Sequence, residues 1–176
     1  DDEEIADISR RYGAEVPFIR PVELTSDTAT SQEVLVHALD ALKAIDGYEP
    51  EYVLLLYPTS PLLSRERIEE AVALAVERDA DSVVSGSYDK GHYWIEDEGA
   101  WQRLYPIHLV NSQYQKPLFK ENGAIYMTRV SVLRGQKQLL ADRAHALLME
   151  PDESIDVDYP EDFARVEEIL RHKHIR

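Results

Sequence analysis

Apolar positions along this chain fall into helical and strand periods by turns, and their succession predicts strands interleaved with helices. The acidic opening Asp1-Asp2-Glu3-Glu4 leads into Ile5, Ile8 and Tyr12 at helical spacing, so the acids read as an N-terminal cap and Gly13 as the stop. Val16-Pro17-Phe18-Ile19 reads as a short strand. A polar stretch over residues 25–31 then offers several caps for a helix carrying Val34, Leu35, Ala38, Leu39 and Leu42, which Gly47 and Pro50 close. Tyr52-Val53-Leu54-Leu55-Leu56-Tyr57 is continuously apolar, the pattern of a strand buried on both faces of a parallel sheet. Pro58-Thr59-Ser60-Pro61 ends it, Ser64 caps a helix with Ile68, Ala71, Val72, Ala75 and Val76, and Ser82-Val83-Val84-Ser85 is another strand.

Beyond this point the rhythm changes. His92-Tyr93-Trp94-Ile95 and Trp101-Gln102-Arg103-Leu104-Tyr105 flank Glu96-Asp97-Glu98-Gly99 as a hairpin would, and residues 106–120 show no period. Ala124-Ile125-Tyr126-Met127 is again a strand, residues 130–140 a broken helix, and Ala146-Leu147-Leu148-Met149 a strand. The alternation predicts an α/β fold with a mainly parallel sheet, one domain over residues 1–176, and an insertion at 88–120.

Near the C-terminus the apolar pattern encloses chemistry. In Ser154-Ile155-Asp156-Val157-Asp158 the branched residues alternate with two carboxylates. On a strand, Ile155 and Val157 enter a core while Asp156 and Asp158 leave the other face together, roughly 6–7 Å apart at the backbone. Such a pair suits a hard cation held by one or two carboxylates, waters and substrate phosphates. It equally suits a capped or solvated loop before the helix that Pro160, Glu161 and Asp162 begin. Ligands of open α/β sheets bind beyond the strand ends, where Pro58-Thr59-Ser60-Pro61 and Glu121-Asn122-Gly123 also fall. Taken singly, the first is a rigid capping turn and the second a turn with positive φ.

Charge narrows the partner classes. Lys and Arg number 19 against 34 Asp and Glu, a net charge of −15, which argues against nucleic acid. An anionic small substrate then requires a local basic pocket or a metal. The chain has no cysteine, which excludes disulfides, zinc–thiolate sites and thiol catalysis. No apolar run approaches the ~18–20 residues of a membrane span and no signal-peptide pattern is present, so a cytoplasmic protein is expected.

Four segments in order resemble the acylneuraminate cytidylyltransferases, the CMP-sialic acid synthetases, from Asp1 to about Arg171. They are Arg20-Pro21-Val22-Glu23-Leu24 with Ser26-Asp27-Thr28-Ala29-Thr30-Ser31, Tyr57-Pro58-Thr59-Ser60-Pro61-Leu62, Glu121-Asn122-Gly123-Ala124-Ile125-Tyr126, and Ser154-Ile155-Asp156-Val157-Asp158. The resemblance implies a doubly wound, Rossmann-like nucleotidyltransferase sheet. It also implies transfer of CMP from CTP to a nine-carbon or Kdo-like 2-keto sugar acid, with release of pyrophosphate. Asp156 and Asp158 then hold Mg2+, Arg20, Ala29 and Ser31 surround the cytosine and ribose, and Thr59, Asn122 and Tyr126 line the sugar pocket. Lys120 stands where the family commonly carries an arginine, and with Asn122 is the expected catalytic pair. Without the family, Arg20 reads as the partner of a surface acid and Tyr126 as core. Members are typically homodimers, a role that suits residues 92–116 with Trp94, Trp101, Tyr105 and Tyr114.

Two departures qualify the match. Tyr57 replaces the family's glutamine, so a phenol stands where an amide donates and accepts, and legionaminate-type, pseudaminate-type or Kdo-like acids become the expected substrates. The family's opening strand and its Arg-x-Gly-Ser-Lys phosphate loop have no counterpart here. About fifty to sixty residues of a complete enzyme would precede Asp1 on that pattern, and residues 1–176 alone are expected to be inactive. Loss of that strand would expose residues 53–56 as an apolar edge. A non-catalytic shortened relative that binds a nucleotide sugar or a partner is one alternative, and a metal-dependent glycosyltransferase another.

Overall fold

The computed structural model describes residues 1–26, 28–89, 91–104 and 118–173. Its elements in order are α1 (Glu3–Arg11), α2 (Ser31–Asp46), β1 (Tyr52–Leu56), α3 (Arg65–Glu77), β2 (Ser82–Asp89), β3 (Trp94–Asp97), β4 (Ala100–Arg103), β5 (Leu118–Arg129), α4 (Val130–Gln136), β6 (Ala144–Leu148) and α5 (Pro160–Lys173), with 3-10 turns at Val22–Leu24 and Pro151–Ser154. Asp27, Tyr105, Tyr114 and Lys116 of the sequence argument lie outside the described residues.

Four strands form the larger sheet in the order β1-β5-β2-β6. The sheet is mixed. Arg129 at the end of β5 donates its N–H to Asp81, just before β2, and Val130 donates to Glu51, just before β1. The end of β5 therefore lies beside the beginnings of both neighbours, so β5 runs antiparallel to them. Strand β6 runs with β2, because Ala141 reaches Ser82 and Met149 reaches Gly86 further along. Three strands thus share one direction, as the alternation predicts, and the reversed one contains Asn122 and Gly123. In the second sheet, β3 and β4 pair antiparallel with Asp97 opposite Ala100. The two residues between them, Glu98 and Gly99, both have positive φ, which suits a tight hairpin turn.

Two compact units are resolved by contact, one of residues 1–55, 75–83 and 126–145, the other of 56–74, 84–125 and 146–176. In the first, Asp2 caps α1 through Ile5, and Thr30 and Glu33 form a reciprocal capping box on α2, which ends at left-handed Gly47. Leu35, Leu39 and Leu133 form its core, with Val53, Leu55 and Val130 packed against them. Arg129 ties the strand ends there, bonding Glu51, Asp79 and the Tyr52 hydroxyl while stacking on the Tyr52 ring at 4.7 Å. In the second, Leu62, Ile155 and Val166 form a core that Val157 and Ile169 extend.

Several expectations are corrected. Residues 16–19 form no strand, since Pro17 has no N–H to give a ladder. Among the described residues β1 stands at the edge of the sheet, and it is half-buried from Tyr52 to Leu55 with Leu56 exposed rather than buried on both faces. Helix α4 stops at Gln136, where Lys137 turns left-handed at φ 53°. Residues 155–158 join no strand, because Pro151 starts a 3-10 turn after a two-residue gap from β6, and Ile155 at its end has extended backbone. No helix among the described residues is long and apolar enough to cross a membrane.

Candidate functional site

The second unit gathers most of the residues singled out by sequence. The turn after β1, with Ser60 N–H bonded to Tyr57 O at 3.2 Å, presents Tyr57 and Thr59 half-buried. Val157 N–H then donates to Thr59 O at 2.8 Å, so the acidic segment is stitched to that turn by backbone alone. The alternation of Ile155, Asp156, Val157 and Asp158 survives outside a ladder. Ile155 and Val157 pack with Leu62 and Val166, and Asp156 and Asp158 are absent from that apolar cluster.

The two carboxylates differ in setting. Asp158 is exposed, and the helix behind it is capped by Asp162, whose Oδ2 accepts from the N–H groups of Asp158 and Tyr159. The capping role foreseen for the acidic segment thus belongs to Asp162. Asp156 Oδ1 is buried and has no hydrogen-bond partner among the described residues, while Oδ2 lies over Gly123, 3.3 Å from where a Cβ would stand. Asn122-Gly123 is not the turn its sequence suggests but lies inside β5; Gly123 keeps the expected positive φ, +75°, and opens room there for a carboxylate. A buried carboxylate oxygen with no donor is costly unless a cation or water meets it. Among the described residues, no group of three or more His, Asp or Glu side chains gathers as a metal cluster.

Asn122 is buried. Its Oδ1 accepts from the Ser85 hydroxyl at 2.6 Å and from Ala124 N–H at 3.2 Å, and its Nδ2 donates to Ser154 Oγ at 2.9 Å and toward Met149 Sδ at 3.4 Å. Ser85 was visible only as the end of an apolar strand, and Ser154 only as the start of a motif. Their partnership has no signal in spacing. Lys120 is exposed near Asp89, whose carboxyl is held below its usual value by the Tyr93 hydroxyl first, then by Gly91 N–H, with the Lys120 charge adding to them. Ser60 Oγ is also buried without a partner.

The first unit holds Arg20, Ala29, Ser31 and Tyr126. Arg20 pairs with Asp1, the surface-acid reading of that residue, although its Nε is buried and unpartnered. Ala29 donates its N–H to Ser26 in the turn before α2, and Ser31 opens the helix. Tyr126 is half-buried in β5.

No family model matches the chain. It is similar to CMP-N,N'-diacetyllegionaminic acid synthase of Legionella pneumophila, 28% identical over 97% of this chain and 75% of that protein. N-acylneuraminate cytidylyltransferase of Streptococcus agalactiae is 31% identical over 94% of this chain, which spans only 40% of that relative. Among solved structures, 4-diphosphocytidyl-2C-methyl-D-erythritol synthase of Anaerococcus prevotii superposes with a TM-score of 0.61 at 14% identity, covering 96% of this chain and 76% of that one. The structural likeness establishes an α/β, Rossmann-like fold.

Proposed function

We propose that the chain is a member of the acylneuraminate cytidylyltransferase family, as its likeness to those relatives supports, and that it serves the transfer of CMP from CTP to a sialic-acid-like 2-keto sugar acid. The observation that carries this reading beyond kinship is Asp156, with one oxygen buried and without a donor among the described residues and the other seated over Gly123. Oxygen of that kind is what a hard divalent cation selects, so the residues fit Mg2+. Asp156 and Asp158 are those that would hold it, leaving the remaining positions to water and phosphate oxygens. When bound, Mg2+ would neutralise charge on the triphosphate and polarise its oxygens.

The protein's own part is positioning. The sugar's anomeric oxygen forms a bond to the α-phosphorus, the bond from that phosphorus to the bridging oxygen breaks, pyrophosphate leaves, and the hydroxyl proton passes to water. No protein nucleophile is required, so alignment and charge supply the rate. Lys120 offers a mobile positive charge for the sugar carboxylate, without the two-pronged grip of an arginine. Tyr57 and Thr59 line the same unit and are assigned to the sugar, Tyr126 with them. Arg20, Ala29 and Ser31 are assigned to cytosine and ribose. We place the enzyme in the cytoplasm and read it as a homodimer, with the exposed Ile95 and Trp101 of the β3–β4 hairpin supporting a protein contact. The relatives lend no support to a glycosyltransferase.

The test is CMP-sugar formation by the product of the whole reading frame that contains this sequence, with CTP, Mg2+ and a panel of 2-keto sugar acids. Turnover with a legionaminate-type acid is expected, and none with any member of the panel would defeat the reading. Asp156→Asn is expected to lower turnover by about 10²–10³-fold. Near-parent rates in both Asp156→Asn and Asp158→Asn would remove the metal assignment. Tyr57→Gln is expected to shift preference among the acids, read as a change in their kcat/KM ratio.

A further inference from the structure

Every hydrogen-bonding capacity of the Asn122 amide is met inside the protein. An amide offers two acceptor lone pairs and two N–H donors. Ser85 and Ala124 occupy the first two, Ser154 and Met149 the second two. The orientation is fixed, because Ala124 N–H can only donate and so must face the oxygen. The donors also run in one sense: Ile125 N–H donates to Ser85 Oγ, Ser85 to Asn122, Asn122 to Ser154, and Ser154 to the Glu150 carbonyl. A sugar hydroxyl could reach this amide only by displacing one of those partners in a buried place, where an orphaned group is costly.

The chain of bonds passes through Ser154, two residues before Asp156, and ends on the carbonyl of Glu150. Ile155, between Ser154 and Asp156, is pinned in the core by Leu62 and Val166. The residue after Asn122 is the glycine over which the Asp156 carboxylate packs. One residue of β5 thus holds the backbone leading to Asp156 through Ser154, and the next makes room for Asp156 Oδ2.

Resting on the metal assignment above, we propose that Ser85, Asn122 and Ser154 form a buried bracket that seats Asp156 for the cation. Asn122 is then a positioning residue rather than a contact to the sugar. Groups that hydrogen-bond a ligand directly typically change metal affinity by about 10–100-fold, and a bracket that acts through the backbone leading to Asp156 is expected at the lower end of that range.

The experiment is a Mn2+ titration by electron paramagnetic resonance in the presence of CTP, which reads the site whether or not turnover occurs. It compares the parent full-length gene product with Ser154→Ala and Ser85→Ala, each checked for folding by circular dichroism. The Mn2+ dissociation constant is expected to rise about tenfold in either variant, with the Mg2+ requirement of turnover rising in step and the sugar-acid KM within about twofold. Ser154→Thr, which keeps the hydroxyl, is expected to restore the parent value. Ser154 is half-buried in a 3-10 turn, and Ser85→Ala gives an independent answer should that turn collapse. Unchanged Mn2+ affinity in a folded variant overturns the bracket, as does an Asn122→Ala protein that loses only sugar affinity. A parent that binds Mn2+ but makes no CMP-sugar overturns the proposed reaction and leaves the bracket standing on its own measurement. A parent that binds no Mn2+ overturns both.

Discussion

Gly86 and Gly135 both sit inside regular elements, yet alanine at the two sites is expected to act in opposite directions. A Cβ on Gly86 in β2 would stand 2.3 Å from the Lys120 carbonyl oxygen and 2.5 Å from the Phe119 ring. A backbone oxygen held in a sheet cannot retreat, so Gly86→Ala should cost about 2–4 kcal/mol in urea unfolding. Gly135 in α4 has nothing within 4 Å of that position, and its φ lies outside the left-handed region. Gly135→Ala should therefore gain about 0.5–1 kcal/mol from a stiffer unfolded chain and better helix propensity. Nothing in the sequence distinguishes these glycines, because the difference lies in what approaches from residues 119–120. The same holds for Asn122. Its place beside glycine reads as a turn although it lies inside β5, and the identity of its partners depends on strand and loop positions far apart in sequence.

At the scale of elements, Arg67 on α3 joins the 3-10 turn that precedes the acidic segment. Its Nε and Nη2 meet Glu153 at 3.1 and 2.9 Å, and Nη1 meets Glu70 at 2.7 Å. These bonds, to Glu153 first, raise the affinity of the guanidinium for its proton. The pair is partly buried, so Arg67→Ala is expected to cost about 1–3 kcal/mol and to speed amide exchange over residues 152–158. Unchanged exchange there would refute the coupling. On α2, Thr30→Ala should lose about 1 kcal/mol through the capping box, measured by thermal unfolding. That box was readable, since a threonine three residues before a glutamate ahead of an apolar run is a local signal. The direction of β5 was not. Periodicity records which face a side chain takes and is silent on which way the strand points, so a mainly parallel sheet was the natural expectation. The acidic segment was half legible for a related reason. Alternation revealed the buried Ile155 and Val157, but a segment outside the sheet and a paired strand alternate alike.

Over the whole molecule, the charge of −15 sets how it meets its surroundings. Like charges repel in the compact state and salt screens them within a Debye length of about 8–10 Å. The melting temperature is accordingly expected to rise between 20 and about 300 mM NaCl. Association with an anionic nucleotide should also quicken with salt, the reverse of a basic nucleotide-binding protein, and stopped-flow mixing at several ionic strengths would show it. Strand β5 carries a second consequence. Because it runs against β2 and lies next to it, the chain departs from Asp89 and comes back at Leu118 to an adjoining track, with the Lys120 carbonyl against Gly86. Whatever lies between those points is a detour that begins and ends at one doorstep. Closing a longer detour adds only about 0.6 kcal/mol per doubling of length, so evolution can lengthen, shorten or trade this segment without redrawing the sheet. The catalytic framework and the outer excursion are in that sense separately heritable.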